Sequence, residues 1–145
     1  MNFEHCTTFA RKNPVCYVAT LDRDQPRVRA FTLWFADVTG FYFHTIAHKD
    51  VVAQLLVNPK VEICFTAPPH PPDPVEMMRV SGQMETVYDP VLMEKLFAER
   101  PFLTRMGVTG PDDPNLAVLR IPHGDVRIWK MENFLMGKES ASISF

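Results

Sequence analysis

Apolar and polar positions follow two rhythms along this chain. From Asn2 to Lys12, apolar residues recur at Phe3, Cys6, Phe9 and Ala10, which predicts one short amphipathic helix. Asn13-Pro14 ends it, because the residue before a proline avoids helical geometry. The rhythm then shortens to that of strands. Val15 to Leu21 is rich in strand formers, and Asp22 to Pro26 reads as a turn. Arg27 to Phe35 predicts a second strand, with Arg27, Arg29, Phe31, Leu33 and Phe35 on one face and Val28, Ala30, Thr32 and Trp34 on the other. Asp37 to Gly40 is a turn, and Phe41 to Thr45 a third strand. Short turns between three strands predict an antiparallel meander.

Helical spacing returns at Val51, Val52, Leu55 and Leu56 and stops at Asn58-Pro59. Lys60 to Thr66 is strand-like again. Five prolines between Ala67 and Pro74 predict a loop or extended segment. Val75 to Val87 reads as one long strand kinked at Gly82. Asp89-Pro90 has the cap-then-proline signature of a helix start, and that helix runs to about Glu99. Pro111 to Asn115 is a loop. Leu116 to Ile121 and Asp125 to Lys130 predict a final hairpin around Pro122-His123-Gly124, and the serine-rich tail 138–145 is expected to fray. Six or seven strands with inserted rather than alternating helices predict a mainly β domain, a barrel or sandwich with short flanking helices.

The 145 residues fit one domain, with no internal repeat. With 46% apolar residues the chain is not disordered, and a net charge of −2 argues against a general nucleic-acid binder. No run is long and apolar enough for a membrane span, and the N-terminus lacks the basic and apolar regions of a signal peptide, so the expected location is cytoplasmic. Cys6, Cys16 and Cys64 form no CxxC pair, which predicts neither a disulfide framework nor a cysteine zinc site; Cys16 and Cys64 are expected to be small buried apolar groups.

Most motifs that carry chemistry are absent. No GxGxxG, phosphate loop or GxSxG occurs, and Ser81 lies inside a strand pattern. No carboxylate pair is picked out, so no catalytic residue is assigned. His44 and His48 are four apart across a strand-to-helix junction, where that spacing does not place them on one face, and no metal site is predicted. Two places stand out. Arg27 and Arg29 share one strand face, and arginine suits bidentate phosphate recognition; the plain alternative is a pair of charges at a barrel rim. The segment 44–50 joins a strand to a helix whose N-terminus offers free N–H groups, beside the Thr45 hydroxyl and the Lys49 charge; the alternative is an ordinary turn capped by Asp50. If the second and third strands are neighbours, Arg29 and Lys49 converge on one anion.

The order of these segments resembles the FMN-binding split barrels related to pyridoxamine 5'-phosphate oxidase. The likeness runs from Val15 to about Asn133 through VCYVATLDRDQPRVRAF, GFYFHTIAHKDVVAQLLVNPKVEICF, MMRVSGQMETVYD and VRIWKMEN. It implies a six-stranded antiparallel split β-barrel and a homodimer with FMN at the interface. By position it implies that Arg29, Ala30, Phe31 and Thr32 line the flavin, that His44 and Thr45 touch it, and that Lys49 binds its phosphate with Arg27 or Arg29 assisting. Trp129 matches a tryptophan found near the flavin in some relatives, one that the other subunit could contribute; a core aromatic is the alternative. The chain departs from the oxidase proper. It lacks the C-terminal arginine–histidine motif, has Trp34 where the oxidase has a lysine, and replaces a serine-arginine-lysine turn with His48-Lys49-Asp50. It is closer to short relatives of the nitroimidazole-resistance type. The resemblance implies an FMN-dependent reductase of a small planar substrate. The competing expectations are a flavin- or haem-binding protein without turnover, with His44, His48 or Met136 considered as haem ligands, and a dimeric barrel with an empty cleft.

Overall fold

The structure is a computed structural model that describes residues 2–68, 75–137 and 142–145. Helix α1 (Phe3–Lys12) starts at Asn2, whose side chain accepts from the His5 N–H while its own N–H donates back to His5 Nδ1. Cys6 and Ala10 are the residues of α1 that enter the core. Strands β1 (Val15–Asp22) and β2 (Gln25–Thr32) form a hairpin in which Cys16 opposes Phe31, Val18 opposes Arg29 and Thr20 opposes Arg27. Short β3 (Phe35–Asp37) pairs with β4 (Gly40–Ile46), and β4 runs into helix α2 (Asp50–Val57). Strands β5 (Lys60–Ala67), β6 (Glu76–Gln83) and β7 (Glu85–Val87) follow, then helices α3 (Pro90–Glu99) and α4 (Phe102–Arg105). Strands β8 (Leu116–Ile121) and β9 (Gly124–Lys130), a 3-10 helix (Met131–Met136) and β10 (Ile143–Ser144) complete the described chain.

The strands make two antiparallel sheets: six strands in the order β10-β9-β6-β5-β1-β2 and four in the order β3-β4-β8-β7. The sheets face each other without closing, which is a split barrel. Its main core lies between them and holds Val18, Phe41, Phe43, Ile63, Phe65, Met78, Val80, Leu119 and Ile121. A second cluster of Trp34, Tyr42, Leu96, Leu103 and Val118 seats α3 and α4 on the outside of the smaller sheet.

Four expectations change, three of them for one physical reason. The predicted strand from Arg27 to Phe35 breaks at Leu33-Trp34, where both consecutive side chains are buried; a continuous half-buried strand cannot do this. Leu33 N–H donates to Pro14 O and Trp34 N–H to Tyr42 O, so the chain leaves the large sheet and enters the small one. The predicted meander is therefore divided: β2 and β4 belong to different sheets. The long strand from Val75 to Val87 breaks in the same way at buried Met84, whose N–H donates to Pro59 O, and not at Gly82. The expected final hairpin is also a crossing, because β8 pairs with β4 and β7 while β9 pairs with β6 and β10. The fourth change concerns the tail. Residues 142–145 are held rather than frayed: Ile143 opposes Val126, and the Phe145 ring stacks on Phe3 with centroids 4.5 Å apart. Residues 138–141, and most of the proline-rich stretch, lie outside the described residues.

Candidate functional site

The two sheets part along two strand edges. β2 is the last strand of the large sheet, and among the described residues its outer edge pairs with no strand. β4 pairs with β3 only from Gly40 to Tyr42, so residues 43–46 of β4 have an open edge on that side. Unpaired strand edges offer rows of N–H and C=O groups, and soluble proteins cover or use them. Between these edges opens a cleft of about 910 Å³, at the upper end of small-molecule site sizes.

Eight of the nine residues singled out in the sequence line this cleft: Arg27, Arg29, Ala30, Phe31, Thr32, His44, Thr45 and Lys49. Arg27, Arg29 and Phe31 share the inward face of β2 with Cys16, Val18 and Thr20 of β1. Ala30 and Thr32 point to the other face and reach the cleft because it wraps round the free edge. Trp129 does not line it. It lies half-buried in β9 opposite Met77, in a different part of the large sheet.

One end of the cleft is built for an anion. The Arg29 guanidinium is half-buried; burial pushes its pKa down, Arg27 pushes it further down, and Asp50 pulls it back up. Its Nη1 donates to Thr20 Oγ1 at 2.7 Å and Val18 O at 3.2 Å, and its Nη2 to Gln54 Oε1 at 2.8 Å. Arg27 is more exposed and pairs with Asp22 at 3.2 Å. Lys49 is the N-cap of α2, and among the described residues no side chain caps that helix end. The free N–H groups and the positive dipole end of α2 thus sit in the same cleft as Arg29. Asp50 is the first helical residue and not the cap, so the turn is not closed by its own carboxylate.

The opposite wall comes from α3 and α4. Arg100 ends α3, Pro101 starts the next turn, and Phe102, Leu103 and Met106 line the cleft beside them. The His44 ring lies 6.1 Å from the Phe102 ring, centroid to centroid. Burial, then Arg100, then Lys49 push the His44 pKa down to about 4, so its imidazole is neutral at neutral pH. Of the three histidine and methionine positions considered for haem, only His44 lines the cleft.

Sequence reasoning missed Thr20, Gln54 and the Arg100–Met106 wall. Gln54 had a signal, since it lies one helical turn after Asp50 on the same face. Arg100 had none, because only the second cluster brings α3 and α4 against β4. Among the described residues no group of three or more metal-ligating side chains converges, and no helix is long and apolar enough to cross a membrane. Cys16 is buried and its thiol is pushed up to about 12 by burial and by Cys64, so it is not a nucleophile. Cys64 is only half-buried, unlike the expectation, because it falls on the outer face of β5.

Comparison with known proteins places this geometry. The family model described as pyridoxamine 5'-phosphate oxidase matches residues 3–130, and the chain belongs to that family. No curated protein matches it. Among solved structures it is similar to a NimC/NimA family protein from Clostridium acetobutylicum, with 26% identity over 98% of this chain and 91% of that one and a TM-score of 0.78. It shares its fold with a FAD-binding protein from Mesorhizobium loti (17% identity, 88% and 94% covered, TM-score 0.70). It also shares it with PhzG from Burkholderia lata, solved in complex with tetrahydrophenazine-1-carboxylic acid (15% identity, 99% and 88% covered, TM-score 0.68).

Proposed function

We propose that the chain is an FMN-binding oxidoreductase, a reductase of a small planar substrate, working as a homodimer. The observation that carries this reading is the convergence of Arg29, Lys49 and the uncapped start of α2 at one end of a cleft whose walls are open strand edges. Such an end suits a phosphate, through charge-assisted hydrogen bonds and the helix dipole. The free backbone groups of β2 and β4 suit the donors and acceptors along the rim of a flavin ring. Bound flavin would supply the hydride and electron chemistry. The chain's own work is then to hold the phosphate, orient the ring and shelter it. Phe102, Leu103 and Met106 give the sheltering wall an apolar surface. His44, neutral and half-buried, offers a hydrogen bond there without adding charge. No acid–base pair is needed from the protein, in keeping with the absence of one in the sequence.

The homodimer has its own support. The outer face of β1 and β2 exposes Val15, Tyr17 and Val28 next to Ala30 and Thr32, an apolar surface bordering the cleft. Large exposed apolar patches mark contact surfaces. A second copy on this face would put each cleft at the interface. Trp129, which its own chain leaves outside the cleft, is then expected to serve the cleft of the partner.

The test is the visible spectrum of the purified protein, before and after adding FMN or FAD, with gel filtration of the loaded form. Flavin bands that shift on binding, preference for FMN and a dimeric mass support the proposal. A protein that stays colourless with both flavins overturns it, and a haem-type spectrum as purified replaces it with the haem-binding alternative.

A further inference from the structure

The cation at the anion end of the cleft is held in an unusual way. An arginine has five N–H donors. The Nη1/Nη2 end of Arg29 is committed to protein: Nη1 to Thr20 Oγ1, Val18 O and, at 3.4 Å, Arg27 O, and Nη2 to Gln54 Oε1. Among the described residues Nε donates to nothing, which leaves Nε and the second N–H of Nη2 as a two-pronged donor for one oxyanion. Thr20 completes the arrangement. It is 3% exposed, accepts from Arg29, and donates to Gln54 Oε1 at 2.6 Å. The guanidinium only donates, so the Gln54 atom facing it is the carbonyl oxygen and not the amide nitrogen. Gln54 Nε2 is thereby turned away with both its N–H donors free among the described residues, on a side chain that lines the cleft.

We propose that Gln54 and Thr20 are positioning residues that aim Arg29 at an anionic group without themselves compensating its charge. The chemistry of position 54 is the key. A glutamate there would fix the guanidinium as well or better, but would neutralise it and add a like charge next to an incoming phosphate. An amide orients without neutralising. The hydroxyl of Thr20 does the same from below, again without charge. Arg29 therefore spends its fixed end on neutral acceptors, which take none of its charge away from the ligand. The inference rests on the flavin reading above and adds to it a mechanism for discriminating phosphorylated from unphosphorylated flavin.

The experiment titrates FMN and riboflavin separately into the purified full chain, following flavin fluorescence, for the unaltered protein, Gln54→Glu, Thr20→Val and Thr20→Ser. Riboflavin lacks only the phosphate, so the ratio of the two affinities reads phosphate recognition alone. The unaltered protein should prefer FMN. Gln54→Glu and Thr20→Val should each cut that preference by about tenfold or more, the scale of one charge-assisted hydrogen bond, with riboflavin affinity unchanged. Thr20→Ser, which keeps the hydroxyl, should retain the preference. Gln54→Glu should melt no lower than the unaltered chain, because it gains an ion pair with Arg29; this separates lost positioning from lost folding. An FMN preference that survives both Gln54→Glu and Thr20→Val overturns the role given to these residues while leaving the flavin reading intact. A protein that takes up neither flavin overturns that reading, and the positioning role with it, at the first titration.

Discussion

Trp34 Nε1 donates to Glu99 at 2.7 Å, across 65 residues of chain. Trp34 marks the point where the β2 segment leaves the large sheet, and Glu99 is the last residue of α3, next to Arg100 in the cleft wall. The bond joins the sheet crossing to the wall. Lys95 of the same helix lies over the Phe35 ring at 4.1 Å and near Trp34, so α3 grips this corner through two aromatic side chains. Trp34→Phe removes the donor and part of a buried ring, weakens one cation–π contact, and should cost about 1–3 kcal/mol of stability. Glu99→Ala keeps the ring packed but leaves the buried Trp34 N–H without its acceptor, and should cost about 1 kcal/mol. Urea unfolding of the two variants checks the order. A Glu99 variant as damaging as the Trp34 variant means that the bond, and not the ring, holds the corner.

Arg29 and Lys49 act on the same anion from different elements, so their removal should have the same sign and different size. Arg29 presents a fixed two-pronged edge and Lys49 a mobile, exposed point charge. Arg29→Ala is expected to weaken FMN binding by about 1.5–3 kcal/mol. Lys49→Ala should cost less, about 1 kcal/mol, and its effect should fade at high salt because the charge is solvent-screened. Equilibrium titration at two ionic strengths measures both. Unchanged FMN affinity in both variants removes the phosphate from this end of the cleft.

Much of the fold was legible in the chain, because element starts and stops are local chemistry. Asn2, Pro14, Asn58-Pro59 and Asp89-Pro90 mark helix boundaries that the structure keeps. Which strand pairs with which was not legible. Arg27 to Phe35 has an unbroken alternating pattern, and nothing in it says that Leu33 and Trp34 are both buried; that follows from two sheets meeting there. Yet the division of the predicted meander did not separate Arg29 from Lys49. The cleft lies where β2 and β4 fail to pair, so residues read as neighbours in one sheet face each other across the gap between two. Arg100 stayed invisible for the opposite reason. It is brought to the cleft by Leu96 and Leu103 packing on Tyr42 and Val118, contacts between distant segments that no local pattern encodes.

His44 makes the folded state acid-sensitive. Its pKa is held at about 4, first by burial and then by Arg100 and Lys49, against an ordinary value near 6.5 when the chain is unfolded. Between those two values the unfolded chain binds a proton that the folded chain refuses. Stability is therefore unaffected by His44 above about pH 6.5 and falls as pH drops toward about 4, by about 2–4 kcal/mol at the acid end. His44→Gln should flatten this slope, and Arg100→Gln should reduce it by removing the larger of the two repulsions. Denaturation midpoints measured from about pH 7 to about pH 4.5 read the effect. A His44→Gln slope equal to that of the unaltered protein assigns the acid sensitivity elsewhere.

Two glycines with positive φ give contrasting expectations. Gly40 opens β4 at φ +124°, and a Cβ there would stand 2.1 Å from the Ile121 carbonyl oxygen of β8. Gly107, after α4, has φ +93° but open space around its missing side chain. Alanine at 107 meets backbone strain alone, about 1–3 kcal/mol. Alanine at 40 meets the same strain plus a backbone clash that no rotamer relieves, so β4 must move away from β8, and a cost above about 4 kcal/mol is expected. The damage should also reach the cleft, because the pairing of β4 with β8 runs on from Phe41–Ile121 to His44–Val118 and Thr45–Ala117, and His44 and Thr45 form one cleft wall. Thermal unfolding and FMN titration of the two variants separate these effects. Gly107→Ala should melt a few degrees lower and bind FMN as before. Gly40→Ala should fail to accumulate as folded protein or, where it folds, lose FMN affinity. Equal melting temperatures for the two would mean that the approach of β4 to β8 at Gly40 is not what holds the small sheet together.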